Sequence, residues 1–157
     1  MTRPRTVTHG TFSLERRLDA PPARVYAAFA TLQGKQAWFR GGDEQTITEH
    51  DFDFREGGTE HLVGKWASGR VSQFDARYFD IVPDERIVYA YEMHIDGTKI
   101  SVSLATIEFK AEGAGTRLLL SETGAFLDGY DDAGAREHGT NFLMDRMAAS
   151  LARELAS

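Results

Sequence analysis

Two charges stand in this chain where apolar side chains belong. Glu122 shares strand parity with Leu118 and Leu120, while Arg117 and Ser121 take the other parity, so its carboxylate is predicted to point inward. Arg16 breaks the pattern of its own stretch in the same way, sharing parity with Phe12, Leu14 and Leu18. An inward carboxylate without a partner is expensive, and it either finds a counter-charge or takes up a proton. Glu122 and Arg16 are therefore read either as a structural ion pair or as an anchor for a polar group of a ligand, with Glu122 as a possible acid or base. No residue is assigned as catalytic, because the sequence shows neither a positioned nucleophile nor an oxyanion site beside them.

Aromatic residues make a second set. Tyr89, Tyr91 and Met93 share one face of a strand, Phe126 and Tyr130 lie on the connection before the last helix, and Trp38, Phe39, Trp66 and Phe142 come from other elements. Such residues fill space by default. A cavity lined by them, with a few polar groups, is also what a small-ligand site looks like.

Other chemistries find little support. The five histidines, His9, His50, His61, His94 and His138, lack the HxxxH or HxH spacing that would set two imidazoles on one metal, so no metal site is expected. Asp51 and Asp53 read as a solvated acidic edge, since Phe52 and Phe54 claim the inward side. Asp128, Asp131 and Asp132 read as the start of a helix, where carboxylates meet free N–H groups. Gly64-Lys65 lacks the glycine spacing of a phosphate loop, no G-x-S-x-G occurs, and no cofactor is expected.

These residues must be positioned by a chain of 157 residues, enough for one domain (1–157, core about 8–156) with a sizeable core. A net charge of -6 argues against nucleic acid or an anionic membrane as the main partner. The absence of cysteine removes disulfides, zinc–thiolate sites and thiol nucleophiles. With no apolar leader and no spanning run, the expectation is a soluble cytoplasmic protein, monomer or homodimer.

The elements follow from periodicity. Thr8 to Leu18 is predicted as a strand, ended by Ala20-Pro21-Pro22 where a helix starts, with a second short helix around Lys35 to Phe39 after Gly34 breaks the first. From Thr46 to Thr123 the pattern is β, about six antiparallel strands. Asp96-Gly97 is the strongest hairpin signal, because both central residues of a type I′ turn need positive φ. Gly134 to Ala156 is predicted as a long helix, with Met144, Met147, Ala148, Leu151 and Leu155 on one stripe. An amphipathic helix beside a sheet with one apolar face gives an α+β protein.

Several stretches together carry a resemblance: Leu18-Asp19-Ala20-Pro21-Pro22-Ala23-Arg24-Val25-Tyr26, Asp53-Phe54-Arg55-Glu56-Gly57-Gly58, Asp80 to Val88, Gly115-Thr116-Arg117-Leu118 and Ser121-Glu122-Thr123-Gly124. The chain resembles the bacterial branch of the START-like (SRPBCC) superfamily known as Hsp90 ATPase activator homologues, from Phe12 to Leu155. The resemblance implies a helix-grip fold: a curved antiparallel sheet wrapped around the C-terminal helix, with a cavity closed by the two short helices and loops. It makes the first and last strands antiparallel neighbours, so Arg16 and Glu122 would meet. Where many relatives carry Gly-Trp on the final helix this chain has Gly139-Thr140, which opens space there. The expected function is binding of a small apolar or amphipathic molecule in that cavity, by Arg16, Trp38, Phe39, Trp66, Tyr89, Tyr91, Met93, Glu122, Phe126 and Phe142. The family name adds a chaperone-interacting module as an alternative. A cyclase or hydrolase in the same cavity is another, and it would need Glu122, His94 or Tyr91 to converge with shifted pKa values.

Overall fold

A computed structural model describes residues 4–156, apart from the side chains of Leu155 and Ala156. Strand β1 (Val7–Leu18) buries Phe12 and Leu14 and leaves Thr11, Ser13 and Glu15 exposed, the alternation of a strand with one covered face. Prolines end it, and helix α1 (Pro22–Ala30) begins on Pro22, whose missing N–H is no loss in a first turn. The break before helix α2 (Leu32–Gln36) falls at Thr31 rather than Gly34, because the Thr31 hydroxyl accepts the Gly34 N–H at 3.0 Å and caps the new helix. The short helix therefore starts earlier than its aromatic pair suggests, and Trp38 and Phe39 sit just beyond it.

Six strands follow: β2 (Gln45–Phe52), β3 (Thr59–Trp66), β4 (Val71–Val82), β5 (Arg86–Ile95), β6 (Thr98–Glu112) and β7 (Gly115–Leu127). All pair antiparallel in the order β1-β7-β6-β5-β4-β3-β2, so the first and last strands are neighbours. Asp96 and Gly97 take φ of 50° and 82°, the positive values that their two-residue turn requires. Strand β7 runs past Thr123 to Leu127, because β1 and β6 pair with it on both sides through Gly124. Phe126 is thus a strand residue, 2% exposed, and not part of a connection.

Helix α3 (Ala133–Ala156) starts where the Asp132 carboxylate accepts the Ala135 N–H at 2.8 Å. Asp128 does not belong to that helix start. At φ 55° its carboxylate accepts the Thr6 N–H and the Arg5 guanidinium, which fastens the chain ahead of β1 to the end of β7. Met144, Met147 and Leu151 are buried as the stripe predicts, and Ala148 is half-buried. Burying each of the large ones contributes roughly 1.5–3 kcal/mol. They meet Val25 and Phe29 of α1, Phe12 and Leu14 of β1, and Ile87, Ile107, Leu118 and Leu120 from the sheet. Backbone contact is closest to β1 and α1. Over the middle of the sheet the helix stands off, and this is the helix-grip arrangement.

Candidate functional site

The stand-off leaves a cavity of about 450 Å³ between α3, α2 and the inner face of the sheet. Its inner wall is buried and apolar, with Phe29, Ile87, Ile107, Leu120 and Met144. Exposed residues on its lining, Gly41, Arg70, His138, Gly139 and Phe142, mark where it opens to solvent. Small residues on α3 keep the space open. A Cβ placed on Gly139 would meet nothing within 4 Å, and Thr140 follows it on the wall.

Two charged clusters reach the cavity. In the first, the Tyr91 hydroxyl donates a hydrogen bond to Glu122 Oε1 and accepts Arg136 Nη1 at 2.9 Å. Arg136 Nη2 donates to Ser101 Oγ at 2.7 Å and to Asp131 Oδ2 at 2.9 Å, and the guanidinium stands 3.9 Å from Glu122. The same group lies over the rings of Phe126 and Tyr91, 5.4 and 5.6 Å from their centroids. Burial raises the Glu122 pKa above the usual carboxylate range, and the Tyr91 hydrogen bond and Arg136 charge only partly oppose it.

In the second cluster Lys35 Nζ donates to Glu60 Oε1 at 2.8 Å, with side chains 6% and 0% exposed. Tyr78 donates to the same oxygen at 2.6 Å, and His50 Nε2 lies 2.8 Å from the other. The Lys35 ammonium also faces the Phe39 ring at 4.0 Å. Burial alone would push the Glu60 pKa up, but Lys35 and the hydrogen bonds from His50, Lys35 and Tyr78 outweigh it and hold the group at about 2. Between the clusters stands Tyr89, its ring centroid 5.7 Å from Tyr78 and 6.0 Å from Tyr91. Its hydroxyl has no hydrogen-bond partner among the described residues, on a residue that lines the cavity.

A family profile described as Activator of Hsp90 ATPase homolog 1-like protein matches residues 19–152. The chain belongs to this Hsp90 ATPase activator-like family. An uncharacterized protein from Rhizobium leguminosarum is 43% identical with a TM-score of 0.91, over 96% of this chain and 99% of that one. The Mll3558 protein from Rhizobium loti is also 43% identical, with a TM-score of 0.85 over 92% and 99%. An AHSA1-like protein from Aeromonas hydrophila, at 13% identity and a TM-score of 0.72 over 94% and 96%, shows the shared fold alone. A comparison with curated proteins gives no match.

Most of the side chains expected at the ligand site converge on this cavity. Phe39, Tyr89, Tyr91, Met93 and Glu122 line the cavity; Trp38 lines it from beyond α2, and Trp66 and Phe142 stand toward the opening. Phe126 is a correction, since it supports Arg136 from below and is not on the lining.

Arg16 is the larger correction. It faces Leu118, while Phe12 faces Glu122, so four residues of β1, roughly 13 Å, separate the predicted partners. Arg16 does point inward, as its parity predicts, but the guanidinium bonds α3 instead, at Asn141 Oδ1 (2.9 Å) and Asp145 Oδ1 (3.0 Å). His94 does not converge with Glu122 and Tyr91: it is not on the lining, and its Nδ1 is buried without a hydrogen-bond partner among the described residues.

Three charged residues of the site are absent from the sequence-based set, and each carries a signal. Glu60 shares parity with Leu62 and Gly64, as Glu122 does with Leu120. Lys35 precedes Trp38 and Phe39 by three and four residues, the spacing of one helical face. Arg136 extends the buried row Thr140, Met144, Met147 and Leu151 by one turn toward the helix start.

Proposed function

We propose that the chain acts as a single cytoplasmic START-like domain that binds a small apolar or amphipathic molecule in the cavity beneath α3. The supporting observation is the Tyr89 hydroxyl, which is unpaired on the wall of a cavity of about 450 Å³, between two clusters whose tyrosines are bonded. That hydroxyl faces the cavity space and is not among the fully buried unpartnered atoms, so a ligand's polar atom would replace water there, for a net gain of roughly 0.5–1.5 kcal/mol. The cavity size falls in the range of small-molecule sites, roughly 300–1,000 Å³.

The neutral dye Nile red tests this directly. Wild-type protein should bind it saturably at one site, and freshly purified protein should carry a small molecule in native mass spectrometry. Thr140→Trp places an indole in the space beside Gly139 and should abolish dye binding while the protein stays folded. Undiminished binding to the tryptophan variant would put the dye elsewhere and sink the reading.

A second reading, a chaperone-interacting module, has its own support in the family description and in Val102 and Leu104. These are 41% and 51% exposed on the sheet face away from α3. In that case chaperone binding would survive Thr140→Trp and fail on Leu104→Glu. A cyclase- or hydrolase-like use of the cavity would rest on Glu122 and Tyr91, with the Ser103 hydroxyl beside the carboxyl group.

A further inference from the structure

We propose that the cavity's ligand is a carboxylate-headed amphipath, its apolar body inside and its anionic head at the opening between Arg40 and Arg70. This rests on the cavity being the binding site. The interior offers a ligand charge nothing to pair with, because the cations there are already engaged: Lys35 by Glu60, and Arg136 by Asp131 and the Tyr91 hydroxyl. A charged head placed that deep would stand uncompensated in an apolar wall.

The opening is different. Arg70, exposed at the end of the β3–β4 hairpin, is on the lining, and its guanidinium has no ion pair or hydrogen bond among the described residues. Arg40 is on the lining too, and its Nε is buried without a hydrogen-bond partner. Its Nη2 reaches Asp43 only at 3.4 Å, and Arg146 shares the same carboxylate oxygen at 3.4 Å. That aspartate is 85% exposed. Two arginines thus share one solvated carboxylate while a third has none, in a protein of net charge -6. An anion is what this corner lacks, and guanidinium groups match the two oxygens of a carboxylate.

The corner is held in place. Gln45, buried, accepts the Gly41 N–H at 2.7 Å and donates to Ser72 Oγ at 2.8 Å, tying the segment that carries Arg40 to β4. Gly41 lies so close to the Trp66 indole that a Cβ there would come within 2.5 Å of it. Trp66 therefore closes the apolar wall just inside the arginines, where the chain of an amphipath would begin.

The test is displacement of Nile red by dodecanoate, dodecanol and dodecyltrimethylammonium, which share a chain and differ in head charge. Dodecanoate should displace the dye at a concentration lower by about tenfold or more than either of the others, and added salt should narrow that gap. The double variant Arg40→Gln with Arg70→Gln should lose the preference while still binding dodecanol like wild type. Equal displacement by all heads, or a carboxylate preference that survives in the double variant, overturns the head assignment and leaves the cavity reading standing. Failure of every compound to displace the dye, or undiminished dye binding to Thr140→Trp, overturns the cavity reading and the head assignment with it.

Discussion

Glu60 and Glu122 are both inward-facing carboxylates on strands, and each accepts a tyrosine hydroxyl. Their surroundings set them in opposite states. Glu60 has a lysine at 2.8 Å, a histidine on its other oxygen, and no exposure, and its pKa falls to about 2. Glu122 has its nearest cation at 3.9 Å, and that arginine already bonds Asp131 at 2.9 Å, so burial prevails and its pKa rises. Burial is common to both. What differs is whether a counter-charge is committed to the carboxylate, and this separates a structural ion pair from a carboxyl group that burial shifts toward its protonated form.

The sharpest way to break this contrast is to neutralise each carboxylate. Glu60→Gln leaves the buried Lys35 ammonium without its anion and should destabilise the fold by about 3–5 kcal/mol in urea melts. Lys35→Met combined with Glu60→Leu should recover much of that loss, because neither charge then remains to be desolvated. A Glu60→Gln protein as stable as wild type would show that the lysine finds another partner or water, and the contrast would fail on its structural side.

Acid titration comes next in size, and the two groups predict opposite signs. The folded pKa of Glu60 lies at about 2, below its ordinary 4.5, so its stabilisation is fully present above 4.5 and is lost as pH falls toward 2. The shift corresponds to about 3 kcal/mol, absent in Glu60→Gln. Glu122 has a raised pKa, so its contribution is present below 4.5 and is lost as pH rises through the folded value. Stability measured against pH should therefore lose its acid limb in Glu60→Gln and its decline above pH 4.5 in Glu122→Gln. The same sign of change in both variants would contradict the assignment.

Glu122→Gln itself should be mild, about 1 kcal/mol or less in urea melts at pH 7, because Arg136 keeps Asp131 and Tyr91 can still donate to the amide oxygen. A loss as large as that of Glu60→Gln would make Glu122 a second structural ion pair.

The fold is legible in the sequence because local signals agree with one another: the Pro21-Pro22 start of α1, the positive φ at Asp96-Gly97, and the Met144, Met147 and Leu151 stripe all appear where periodicity puts them. Strand parity also sets Glu122 and Arg16 on the correct face. It does not say at which level along the strand each sits, and the Arg16–Glu122 pairing fails there. Register is a property of two strands, and a single strand's alternation holds no information on it. Arg136 and Lys35 escape sequence reasoning for a related cause. On helices a long charged side chain at the end of an apolar row normally reaches water, and only the sheet's curvature and the stand-off of α3 turn these two inward.

The smallest expected effect bears on the space between the two glutamates. Tyr89→Phe removes a hydroxyl that makes no hydrogen bond among the described residues, so stability should change by less than about 0.5 kcal/mol. It should rise slightly if the hydroxyl is poorly hydrated, since an unsatisfied polar group is then removed from an apolar wall. The informative readout is binding. A ligand with a ketone along its chain offers an acceptor to the Tyr89 hydroxyl on the cavity wall, whereas the plain chain does not. Wild-type protein should favour the ketone-bearing analogue of dodecanoate over dodecanoate by about 1 kcal/mol, and the phenylalanine variant should treat them alike. Glu60→Gln, if enough of it folds, should keep the preference, because its carboxylate supports the wall and does not face the ligand. Equal affinities already in wild type would mean that the ligand passes Tyr89 without touching it. The polar side of the site would then be confined to Glu122, Arg136 and the arginines at the opening.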